Sequence, residues 1–134
     1  MNIYFKTIAQ GDDSSYQRAS YMMIDNSERW NKLWQLHTDH FEPPPSVPQV
    51  DFSRYSVVAV FAGEKPTGGY SIEILSAETS ESETQNKPSI VFTVQYRQPE
   101  DDDCVTEALT YPYHIIMLPK IDGNKIVFQY IESS

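Results

Sequence analysis

Val57-Val58-Ala59-Val60-Phe61-Ala62 runs directly into Gly63-Glu64-Lys65-Pro66-Thr67-Gly68-Gly69-Tyr70, and Ser71-Ile72-Glu73-Ile74 follows. The first six residues are uniformly apolar and rich in β-branched valine. Too short for a typical helix, such a run reads as a central strand covered on both faces. The segment Tyr70 to Ile74 alternates instead, placing Tyr70, Ile72 and Ile74 on one side of a second strand. Ile90, Phe92, Val94 and Tyr96 repeat that period-two pattern, so each of these later strands is expected to show one face to water or to a partner.

Working outward, one stretch has the helical period. Trp30, Leu33, Trp34 and His37 follow the i, i+3, i+4, i+7 spacing of a single face. Asp25 is placed as the cap of this helix, with Glu28 three residues on completing a capping-box-like start. The helix must end by Glu42, because Pro43-Pro44-Pro45 and Pro48 remove backbone donors and clash with helical continuation. That proline run is read as a stiff connector wrapped over the domain. Before the helix, Ile3 to Ile8 and Arg18 to Ile24 read as strands that could form a hairpin across Gln10-Gly11-Asp12-Asp13-Ser14-Ser15. Ala77 to Pro88, acidic and poor in apolar residues, is expected to be a solvated hairpin tip. Tyr113 to Leu118 and Lys125 to Ile131 flank Asp122-Gly123-Asn124 and read as a closing hairpin. The sum is a mainly β, β-dominated α+β fold: an antiparallel two-sheet sandwich or open barrel with one helix.

The bulk properties agree with one domain spanning 1–134. The chain has 134 residues, 40% of them apolar and 13% aromatic, enough to bury one core and too much for a disordered segment. Nineteen acidic against ten basic residues give a net charge of -9, which repels phosphate backbones, and no basic stripe offsets it. Nucleic acid is therefore not an expected partner. No run of about 18 apolar residues suggests a membrane span, and the first ten residues lack the pattern of a signal peptide. The lone Cys104 cannot form an internal disulfide, which leaves the compartment open.

Chemistry-bearing clusters are few. His37 and His40 have a spacing that can share a metal, but no third ligand stands nearby. Glu100-Asp101-Asp102-Asp103 lacks the alternating ligands and central glycine of a calcium loop and reads as an acidic turn. Cys104 would need a base such as His114 brought beside it, while its neighbours Asp103 and Glu107 would raise a thiol pKa. No catalytic residues, metal or cofactor are assigned.

Two loops carry more weight. Gly63 to Tyr70 is not a phosphate-binding loop, since the Gly-Lys-Ser/Thr ending is missing. Its chemistry is backbone shape: Pro66 fixes φ, Gly68 and Gly69 open conformations closed to other residues, and Tyr70 supplies an amphipathic ring. Gly63, Pro66, Thr67, Gly68, Gly69 and Tyr70 are thus a candidate partner-binding loop, with an ordinary strand connection as the alternative. Tyr111, Pro112, Tyr113 and His114 form a second cluster, suited to an interface or to core packing.

The order Val-Val-Ala-Val-Phe-Ala-Gly-Glu-Lys-Pro-Thr-Gly-Gly-Tyr-Ser-Ile, an alternating strand, and then Thr110-Tyr111-Pro112-Tyr113-His114 resembles the PrcB C-terminal domain family. The similarity runs from about residue 30 to 120 and is sharpest at Gly63 and at Pro66 to Tyr70. The resemblance implies a non-catalytic accessory domain that stabilises or regulates a partner protein, a protease being the family's namesake partner, in the cell envelope. This chain shows no lipid-attachment cysteine near its start. Pro66-Thr67-Gly68-Gly69-Tyr70 is more loosely similar to the cleft-entering loop of chagasin-type cysteine-protease inhibitors, with Gly68 in place of a threonine. Their Arg-Pro-Trp element is absent. That likeness implies a cleft-blocking inhibitor as an alternative, and the tyrosine content permits a small-ligand-binding module.

Overall fold

The computed structural model describes residues 1–80 and 88–133. Seven strands and one helix follow in the order β1 (Lys6–Gly11), β2 (Ser20–Ile24), α1 (Ser27–His37), β3 (Tyr55–Phe61), β4 (Ser71–Ser80), β5 (Ser89–Arg97), β6 (Tyr113–Pro119) and β7 (Ile126–Ser133). They build a four-stranded sheet, β1-β6-β3-β2, and a three-stranded sheet, β4-β5-β7. The two sheets stack as a sandwich and do not close into a barrel.

The uninterrupted apolar character of β3 has a direct cause. Val58, Val60 and Ala62 face the other sheet and pack with Ile72, Ile74, Phe92, Val94, Ile116 and Leu118. Val57, Ala59 and Phe61 face α1 and pack with Trp30, Leu33 and Trp34. A strand inside its sheet with a layer on either side has no face left for water, and each such side chain contributes roughly 1.5–3 kcal/mol of burial. In β4 and β5 only one face is covered, so Ile72, Ile74, Ile90, Phe92 and Val94 are buried while Glu73 and Leu75 are not.

The helix buries Trp30, Leu33, Trp34 and His37 as the spacing predicts. Its cap is Asn26, one residue later than expected: Asn26 is extended and its Oδ1 accepts from the Arg29 N–H at 2.9 Å. Asp25 instead lies 4.0 Å from the Arg29 guanidinium. The proline connector is anchored by the indoles, Trp30 Nε1 donating to the Pro48 carbonyl at 2.9 Å and Trp34 Nε1 to that of Pro45 at 3.0 Å. Tryptophan can be buried here because its N–H finds a partner.

Three expected connections are corrected. First, β1 and β2 are not a hairpin: β1 pairs with β6 and β2 with β3, at opposite edges of the larger sheet. The intervening segment is held by α1, Ser15 N donating to the His37 carbonyl at 2.8 Å. Second, β6 and β7 occupy different sheets, and β7 runs parallel to β5 rather than antiparallel to β6. The crossover is fixed by Ile121, buried between the sheets with its N–H on Ser56 Oγ at 3.0 Å. Asn124 Nδ2 then donates to the Pro88 carbonyl at 2.8 Å, and Ile90 N to that of Lys125 at 2.8 Å, setting β7 beside β5. Third, the supposed tip Ala77 to Pro88 is strand at its start, since β4 continues to Ser80. Residues 81–87 of that expectation lie outside the described residues.

Candidate functional site

The loop after β3 and the segment before β6 form one body. Lys65 and Thr110 pair through both backbone groups, Lys65 N to Thr110 O at 2.8 Å and Thr110 N to Lys65 O at 3.0 Å. Thr110 Oγ1 donates to the Thr67 carbonyl at 2.8 Å, and the Tyr111 hydroxyl donates to Glu64 Oε1 at 2.7 Å. That hydrogen bond raises the Tyr111 pKa, burial and the Glu64 charge adding to it. Gly68 N donates to the Thr106 carbonyl at 2.9 Å, and a Cβ on Gly68 would sit 2.5 Å from Thr106 Oγ1. Gly69 has φ +88, and a Cβ there would meet Pro99 Cβ at 2.9 Å. Gly69 is thus favoured by both its φ and the close approach of Pro99, whereas a side chain at Gly68 would meet only the hydroxyl of the exposed Thr106.

What this body shows to solvent is small and defined. Glu64, Pro66 and Gly69 are exposed, Thr67 and Tyr70 half-buried, while Gly63 packs under the loop against Ala19. Lys65 Nζ lies 4.8 Å from the Tyr96 ring centroid and 5.8 Å from that of Tyr70, whose rings are 6.4 Å apart. A cation held over two rings is a more ordered surface feature than a free lysine.

The second cluster divides. Tyr111 belongs to the loop body, and the carbonyl of buried Pro112 accepts from Ala62 N at 2.9 Å. Tyr113 and His114 enter the interior on opposite faces of β6, as successive strand residues must. Tyr113 packs under α1, its ring 4.3 Å from that of His37, and burial followed by Asp13 and Asp12 raises its pKa. His114 lies between the sheets: Nδ1 accepts from the Ile74 N–H at 2.9 Å, and Nε2 is 2.8 Å from Thr7 Oγ1. Burial lowers its pKa to about 4, so the imidazole is neutral, with Nδ1 the acceptor and Nε2 the protonated nitrogen.

The other candidates take structural places. His37 Nδ1 is 2.7 Å from Ser14 Oγ, and His40 Nδ1 is engaged by Ser15, so the two imidazoles are each committed to a different serine. Ser14 Oγ also accepts from Tyr16 N at 3.0 Å and is itself buried, which makes the Ser14–His37 contact a weld between loop and helix. Cys104 is exposed while His114 is interior, and they do not form a pair. Glu100, Asp102 and Asp103 bring carboxylate oxygens within 4.8 Å of one another on an exposed turn, closed by Asp103 N to Glu100 O at 3.0 Å.

Residues 56–119 match the family model described as PrcB C-terminal. Over these residues the chain is similar to that family. The PrcB C-terminal match spans β3 to β6 and so contains both loops of the candidate site, together with their mutual hydrogen bonds. It leaves β1, β2, α1 and β7 outside. The match does not extend to the chagasin-type inhibitors. No curated protein and no solved structure matches the chain.

A feature without a local sequence signal adjoins the loop. Tyr21 from β2, Tyr96 from β5 and Tyr130 from β7 surround a cavity of about 340 Å³ floored by Phe61, Ala62 and Ile72. These residues are far apart in the chain and converge only when the sheets stack. The alternation of β5 placed Tyr96 on one face with Ile90, Phe92 and Val94, but nothing local marked Tyr21 or Tyr130.

Proposed function

We propose that this chain is a non-catalytic accessory module that binds a partner protein and stabilises or regulates it, with a protease as the partner class suggested by the family. The observation that carries the reading is the cross-linked loop body. Lys65–Thr110 pairing, the Thr67 and Glu64 hydrogen bonds and Gly69 at φ +88 hold Pro66, Thr67 and Tyr70 in one arrangement beside a tyrosine-lined cavity. A preorganised loop loses little conformational entropy on binding. Cys104 is exposed and His114 is interior, so these two do not form a thiol–imidazole pair.

The test is capture from native lysate and envelope fractions by the folded chain and by a Thr67→Asp/Tyr70→Ala variant. A partner retained by the first and lost by the second supports the reading. If that partner is a protease, its activity and lifetime with and without the chain separate a stabiliser from a cleft-blocking inhibitor. Equal capture by both proteins makes Gly63 to Tyr70 a strand connection only.

A further inference from the structure

The sandwich has four edge strands, β1, β2, β4 and β7. Exposed edges invite pairing with foreign strands, and proteins blunt them with charges or cover. β1 carries Lys6, β7 carries Glu132, and β4 carries Glu73 and Glu78. The outer edge of β4 is also occupied by the N-terminus, Ile3 N donating to Ala77 O at 2.7 Å and Thr79 N to Met1 O at 3.0 Å. β2, Ser20-Tyr21-Met22-Met23-Ile24, has no charge and no proline and, among the described residues, pairs on one side only, with β3.

Both faces of this edge open into apolar space. On the inter-sheet side Tyr21, 56% exposed, leans on Phe128 at 4.3 Å between ring centroids and borders the tyrosine-lined cavity. On the helix side Met22, Ile24, Leu33 and Leu36 border a second cavity of about 240 Å³, with Arg29 and Lys32 on its wall. A strand's side chains alternate between faces, so a segment laid along β2 would present successive residues to the two cavities in turn. Lys32 gives the helix side a preference for a carboxylate, Arg29 being already 4.0 Å from Asp25, on a protein whose net charge of -9 opposes a second copy of itself.

We propose that the outer edge of β2 accepts an extended segment of a partner protein as an added strand. Its inward residues are aromatic or aliphatic and fill the tyrosine-lined cavity. Its helix-side residues pair one aliphatic group with one carboxylate against Lys32. The inference rests on the partner-binding reading above and supplies the chemistry of the segment bound; it uses a surface next to, and separate from, Pro66 to Tyr70.

The probe is the capped peptide Thr-Tyr-Leu-Phe-Glu-Val-Thr, titrated into the isotope-labelled full chain and followed by amide chemical shifts and hydrogen exchange. Saturable binding with shifts and slowed exchange centred on Ser20 to Ile24 is expected. Of two peptides N-methylated on alternate amides, the one blocked on the edge facing β2 loses roughly tenfold or more in affinity and the other does not, because only one set of N–H groups enters the ladder. Tyr21→Lys abolishes binding while far-UV circular dichroism and Trp30/Trp34 fluorescence stay unchanged. The Thr67→Asp/Tyr70→Ala variant still binds the peptide. Equal binding of both methylated peptides, shifts confined to other strands, or no saturable binding at millimolar peptide overturns the proposal. So does concentration-dependent pairing of the chain with itself through β2, which would assign the edge to a second copy. Failure of the peptide with loop-dependent capture intact removes the edge site and leaves the accessory-module reading standing. Peptide binding with loop-independent capture does the reverse to the loop.

Discussion

His114 on β6 accepts the backbone N–H of Ile74 on β4 through Nδ1 at 2.9 Å, so one imidazole joins the two sheets. Ile74 adjoins the irregularity where β4 shifts register against β5 between Ile74 and Ser76. The bond supplies a buried N–H with an acceptor from the facing sheet, and leaving that donor unpaired would cost about 1–3 kcal/mol.

His114 and His37 both have pKa values lowered from 6.5 to about 4, chiefly by burial. For His37, Asp13 pulls the other way and His40 adds to the lowering. Because the unfolded chain takes up these protons first, their neutral forms contribute stability that is fully present above pH 6.5. It is lost progressively as pH falls from 6.5 towards 4. Urea titrations should show lower stability at pH 5 than at pH 7.5, by on the order of 2 kcal/mol per imidazole. A flat profile over that interval would rule the assignment out.

His114→Ala should cost about 2–4 kcal/mol, combining the orphaned Ile74 N–H with a cavity between the sheets. It should also remove part of the acid sensitivity just described. Thermal melts at pH 7.5 and pH 5 test both, and an unchanged pH dependence would place that sensitivity elsewhere.

Gly68→Ala brings a Cβ to 2.5 Å from Thr106 Oγ1, whereas Thr106 Cβ would be at 3.7 Å. The single variant should lose about 1–3 kcal/mol, and adding Thr106→Ala should recover most of it. Gly69→Ala, strained by φ +88 as well as by Pro99, should not be rescued that way. Denaturant midpoints of the wild type, Gly68→Ala, Thr106→Ala and the double variant give the coupling, and additive losses would contradict the contact.

Asn26→Ala should destabilise the chain by about 1 kcal/mol through loss of the helix cap. Asp25→Ala should change little, since its partner Arg29 is 4.0 Å away and both side chains are about half exposed. The ordering of these two variants in a thermal melt tests the cap, and a reversed ordering would return it to Asp25.

Patterns confined to one element were legible in the residues themselves. The apolar run of β3, the alternation of β4 and β5, and the face Trp30, Leu33, Trp34 and His37 each report how many sides of one element are covered. That is a local property, carried by periods of two and of 3.6 residues. At Gly69, with φ +88, the backbone freedom read from the sequence is used, whereas Gly68 has no positive φ.

Pairing was decided only by the tertiary structure. Backbone ladders are alike in every strand, so nothing in β1, β2 or β7 alone says which edge each will meet. Asp122-Gly123-Asn124 turns the chain whether it closes a hairpin or carries it to the other sheet. Asn26 and Asp25 are equally good caps until the chain direction selects one. The meeting of Lys65 with Thr110, the burial of His114 against Ile74 and the convergence of Tyr21, Tyr96 and Tyr130 join residues from distant parts of the sequence. Contacts of that kind depend on how the sheets stack, and stacking is settled by the total apolar surface buried rather than by any short run of residues.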